Sequence, residues 1–98
     1  MKIITDKPDI LKFIEKSEEE LGKVDLLILA TWESTNNILE LRLTASNGRP
    51  TLSNSKNTII ATINTTEEEK KVLQRYAYNL RYWLSRRFSD VKIETNLW

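Results

Sequence analysis

Ninety-eight residues, 40% of them hydrophobic and 30% charged, with a net charge of +1, make room for one domain and one core, so the chain reads as a single domain over 1–98. The complete lack of cysteine and histidine removes disulfides, thiolate nucleophiles, the usual zinc ligand and the commonest general base, and with them serine triads and zinc hydrolases. No apolar run nears the ~18 residues that span a bilayer, and MKIITDKPD lacks the pattern of a secretory signal, so the expectation is a cytoplasmic protein without a membrane segment.

Met1 to Thr5 reads as a short strand. Asp6 then offers a helix N-cap with Pro8 in the first turn, where a missing N–H costs nothing. Ile10, Phe13, Ile14 and Leu21 line one side of this first helix, and Gly22 supplies its left-handed stop. Glu18, Glu19 and Glu20 crowd the end where the helix dipole disfavours anions, which predicts fraying or a basic neighbour.

VDLLILATWE, residues 24 to 33, is apolar on both pleat faces, as in a central strand covered on two sides. STNN turns the chain, and Ile38 to Ser46 alternates, with Leu39, Leu41, Leu43 and Ala45 on one face and Ile38, Glu40, Arg42 and Thr44 on the other. Asn47-Gly48 marks a tight turn, Pro50 leaves the sheet, and residues 51 to 57 read as a polar, mobile loop. Thr58 to Asn64 is the next strand. Alternation there puts Ile59, Ala61 and Ile63 inward, and Thr58, Ile60 and Thr62 on the open face beside Arg42. Asn64-Thr65-Thr66 has the form of a glycosylation sequon, but without an export signal Thr66 and Glu69 read as a capping box.

The helix this box opens runs from about Glu67 to Phe88, and Val91 to Trp98 gives a last strand. The order β-α-β-β-β-α-β predicts an α+β fold of two layers, an antiparallel-rich sheet of four to five strands with both helices on one face. In the long helix, Val72, Leu73, Tyr76, Ala77, Leu80, Trp83, Leu84 and Phe88 form the core arc. Arg87 points near the centre of that arc, so it must snorkel outward or pair with an acid such as Asp90.

The opposite side carries Lys71, Arg75, Tyr78, Tyr82, Ser85 and Arg86 within about 100° of arc. Charge is distributed to match: residues 1–40 hold nine acids and five bases, residues 41–98 five acids and ten bases, and the long helix has no acid after Glu69. Cations interleaved with tyrosines suit RNA or single-stranded nucleic acid, because the cations neutralise phosphates and the rings stack on bases. They equally suit a protein interface, where Tyr and Arg concentrate at hot spots, or ordinary packing of rings against arginine stems on a solvated face. Arg42 on the open sheet face is a further candidate contact.

Residues 38 to 48 (ILELRLTASNG) followed by residues 58 to 80 (TIIATINTTEEEKKVLQRYAYNL) give a strand meander that passes through a threonine-rich cap into a basic helix. With the preceding helix, this layout resembles the Alu-domain subunits of the signal recognition particle over about two thirds of the chain. The resemblance implies an α-β-β-β-α core, dimerisation, and RNA binding through the sheet face.

The reading is a non-enzymatic binding module without metal or cofactor, which recognises RNA or another polyanion and forms a homodimer. Lys71, Arg75, Tyr78, Tyr82, Arg86 and Arg42 are its contact residues. The alternative is a protein-interaction or inhibitor module that uses the same face towards a protein partner. A hydrolase built on Glu33 or Glu40 is disfavoured because no convergent acid pair is legible.

Overall fold

In the computed structural model, which describes residues 1–34 and 36–98, the elements follow the expected order: β1 (Lys2–Ile3), α1 (Lys7–Leu21), β2 (Leu26–Glu33), β3 (Ile38–Ser46), β4 (Ser55–Asn64), α2 (Glu67–Arg87) and β5 (Lys92–Asn96). Local chemistry sets both ends of α1. The Asp6 carboxylate accepts from the Asp9 amide at 3.1 Å, and Gly22, at φ 83°, donates its amide to the Glu18 carbonyl at 2.8 Å. Ile10 and Ile14 face the core, and buried Ser17 is accommodated because its hydroxyl donates to the Phe13 carbonyl at 2.8 Å. The glutamates at the end of α1 gain a basic neighbour, since Lys56 lies 3.3 Å from Glu20.

The strands form one mixed sheet in the order β1-β4-β3-β2-β5. β2, β3 and β4 are an antiparallel meander, and β5 returns parallel to β2, with Leu26 opposite Lys92 and Ala30 opposite Asn96. The turn between β2 and β3 places Asn36 and Asn37 at φ 60° and 58°, a left-handed region that asparagine tolerates better than most residues. Buried Leu27, Leu29, Leu39, Leu41, Leu43, Ala61 and Ile63 meet Ile10 and Ile14 of α1 and Leu73, Ala77, Leu80 and Leu84 of α2. Both helices thus cover one face of the sheet.

Three expectations need correction. First, the polar loop is shorter than 51–57, because β4 begins at Ser55. Asn54 makes this early start workable: its side-chain amide donates to the Asn47 and Arg49 carbonyls, both at 2.8 Å, and ties the turn together.

Second, strict alternation fails in β4. Leu41 pairs with Ala61 but Arg42 pairs with Ile59, so Ile60 is an extra, bulged residue. Ile60 turns fully into the core, whereas Ile59 goes to the open face opposite Arg42 and Thr58 to the helix side opposite Leu43. Third, Val72 is not a core residue and remains 44% exposed. It lies about 110° around α2 from the centre of the fully buried set, beyond the arc the sheet can cover.

The N-terminus of α2 has half of the capping box. The Thr66 hydroxyl accepts from the Glu69 amide at 3.2 Å, but the Glu69 carboxylate reaches back to the Asn64 amide at 3.1 Å, since the Thr66 amide already donates to the Asn64 carbonyl. Glu67, Glu68 and Glu69 in the first turn and Arg86 and Arg87 in the last complement the helix dipole.

Candidate functional site

The side of α2 turned away from the sheet carries the residues singled out by their spacing. Lys71, Arg75, Tyr78, Tyr82, Ser85 and Arg86 are all exposed, Tyr78 by 47% and Tyr82 by 62%. From Lys71 to Arg86 the strip is about 22 Å long at 1.5 Å per residue. Among the described residues, none of Lys71, Arg75, Arg81 and Arg86 has a carboxylate within 4.0 Å. Their charge is therefore available to a ligand.

Within the strip, Tyr82 is held by a neighbouring side chain. Arg86 donates to its hydroxyl at 2.9 Å, with the guanidinium 5.6 Å from the ring centroid, one turn along the helix. Ser85 donates its hydroxyl to the Tyr82 carbonyl at 2.8 Å. One arginine thus steadies the ring and leaves most of it open.

Arg42 is not part of this strip. It lies on the opposite side of the molecule, on the sheet face without helices, where Nε and Nη2 donate to Glu40 at 3.0 and 2.7 Å and the guanidinium rests 5.1 Å from the Trp32 ring centroid. Arg49 bridges to Glu94 on the same face with bonds of 3.0 and 3.1 Å, and Lys92 approaches that carboxylate at 3.5 Å. These groups flank Leu26 and Ile28, which explains how β2 is apolar and buried on both faces with helices on only one. The hydrogen bond from Arg49, opposed by partial desolvation and aided by the charges of Arg49 and Lys92, holds the Glu94 carboxyl below the ordinary glutamate range.

A cationic cluster between the helices was not legible in the sequence. Lys7 of α1 and Arg87 of α2 both approach the Trp83 ring, at 5.2 and 5.0 Å from its centroid. Arg87, expected near the centre of the core arc, is exposed, with its guanidinium over the Trp83 ring, and it forms no ion pair with Asp90. Only the packing of two helices far apart in sequence brings these three residues together. Nearby, burial raises the Tyr76 phenol above its ordinary value, and the charge of Asp6 adds to the effect.

The two carboxylates considered for hydrolysis are separated by the structure. Glu40 is held by Arg42, while Glu33 lines a cleft of about 380 Å³ with Asn37, Leu39, Thr65, Lys70 and Trp98. Among the described residues no group of three or more acids is placed to hold a metal ion. No helix among them is long and apolar enough to cross a membrane. Comparison with protein-family models, with curated proteins and with solved structures gave no match.

Proposed function

We propose that this chain is a small non-enzymatic module that binds RNA or a similar polyanion through the outer face of α2, with Lys71, Arg75 and Arg86 neutralising phosphates and Tyr78 and Tyr82 stacking on bases. The observation that carries this reading is the contrast between the two basic surfaces. Arg42 and Arg49 on the sheet face are already bound to Glu40 and Glu94, whereas Lys71, Arg75, Arg81 and Arg86 of α2, unlike Lys70 with its Glu67 neighbour, have no acidic partner among the described residues. Cations free of acids release counterions when a phosphate chain binds, and paired cations must first break an ion pair. A cytoplasmic location fits this reading.

Salt dependence tests it. Three phosphate contacts on a single strand give a log–log slope of affinity against salt of about −2, at roughly −0.7 per contact. Arg75→Ala is expected to flatten that slope by about 0.7. If RNA binding is missing at about 50 mM salt, or survives replacement of Lys71, Arg75 and Arg86 by alanine with its slope intact, the nucleic-acid reading fails. The exposed Tyr78 and Tyr82 would then be anchors for a protein partner, because tyrosine beside arginine is the composition of interface hot spots.

A further inference from the structure

The shape of the α2 strip restricts its ligand more than its charge does. Six residues within about 100° of a helix about 10–12 Å across leave a strip roughly 10 Å wide, enough for one nucleic-acid strand. The recognition helix of a helix-turn-helix protein enters the major groove of DNA with its N-terminal residues leading. In α2 those are Glu67 and Glu68, both exposed, which would meet phosphates with like charge. In duplex RNA the major groove is too narrow to admit the helix, and the shallow minor groove presents base edges and 2′-hydroxyls but no base faces on which Tyr78 and Tyr82 could stack.

The tyrosine spacing points the same way. Tyr78 and Tyr82 are one turn apart, with a rise of about 6 Å. Bases stacked in a strand repeat every ~3.4 Å, so one ring inserted between neighbours opens the repeat to about 7 Å, close to the helical offset. Paired bases in a duplex cannot open in this way without losing their partners. Arg86 holds Tyr82 in place before any ligand arrives, which lowers the ordering cost of insertion.

We infer that the ligand is a single strand with about four nucleotides laid along α2, its bases interleaved with Tyr78 and Tyr82 and its phosphates on Lys71, Arg75 and Arg86. This rests on the nucleic-acid reading above and narrows it from any polyanion to an unpaired strand. The four-nucleotide length follows from a strip of about 22 Å divided by a repeat of about 6 Å.

The test is a fluorescence anisotropy titration of the intact chain with a labelled RNA of about sixteen nucleotides free of self-complementarity, the same RNA annealed to its complement, and unlabelled heparin as a competitor without bases. The single strand is expected to bind at least about tenfold more tightly than the duplex, and shortening it is expected to cost little until about four nucleotides remain. Tyr78→Ala and Tyr82→Ala should each weaken single-strand binding by about 5- to 150-fold, the equivalent of about 1–3 kcal/mol, and leave the salt slope unchanged, while Tyr82→Phe, which keeps the stacking ring but loses the hydroxyl that Arg86 holds, should cost clearly less than Tyr82→Ala. Equal binding of strand, duplex and heparin, or tyrosine-to-alanine variants that bind RNA as the parent chain does, would overturn base interleaving while the polyanion reading stands. If none of the three ligands binds, both readings fall.

Discussion

Glu94 and Arg49 show how a single residue pair registers the fold. Arg49 leaves the loop after β3, Glu94 sits on β5, and the pair forms only because β5 docks beside β2. Because the folded carboxyl of Glu94 is held below the ordinary glutamate range, the unfolded chain binds its proton more tightly. Its contribution to stability is therefore present above that range and lost as pH falls through the depressed value. Arg49→Gln is expected to lower the urea midpoint at neutral pH and to make little difference at a pH well below the ordinary glutamate range. A midpoint difference of equal size at both pH values would show that the pair does not titrate in this way. Among the described residues Lys71, Arg75, Arg81 and Arg86 on α2 have no such partner, and that contrast was invisible in a sequence that lists eight arginines and lysines from Lys56 onward without saying which meet an acid.

At the level of the element, α2 is the most informative part of the chain. Its caps, its terminal charges, its buried ridge and its exposed tyrosines all follow from 3.6-residue periodicity and from residue types at its ends. Leu80 lies at the centre of the ridge and is 1% exposed. Leu80→Ala is expected to cost about 2–5 kcal/mol in chemical denaturation, from lost burial plus the cavity left behind. A loss below about 1 kcal/mol would mean that the helix does not rest on the sheet along this ridge. Strand β4 is the counterexample, where period-two reading goes wrong at Ile60. A bulge inserts one residue without a local sequence signal, and it is stabilised here because it sends a whole isoleucine side chain into the core.

For the whole molecule, the open question is what covers the sheet edges. Among the described residues β5 pairs only with β2, and β1 meets β4 at just Ala61 and Thr62, so within that set the outer side of β5 and the early part of β4 have no neighbouring strand. Unpaired edges are templates for association, and a twofold dimer is the common way to close them. The expected outcome is a homodimer, measured as a sedimentation mass of two chains at high micromolar concentration. A mass of one chain under those conditions would remove the expectation and leave the charges of Lys56 on β4 and Lys92 and Glu94 on β5 as the groups that keep these edges apart.

By itself the sequence determined the order and type of the elements, the N-caps of both helices and the Gly22 stop of α1, the two-layer α+β class and the cationic tyrosine strip. These depend on residues within a few positions of one another, whose spacing decides a face and whose side chains reach the nearest backbone groups. Tertiary structure alone decided the strand order, the parallel docking of β5, the bulge at Ile60, the meeting of Lys7 and Arg87 on Trp83, and the neutralisation of Arg42 and Arg49. Even the Glu40–Arg42 pair, two residues apart on one strand, takes its significance from which sheet face the helices cover. Each of these outcomes sets segments far apart in the chain against one another in competition for burial and for charge partners, and no local pattern states the result of that competition.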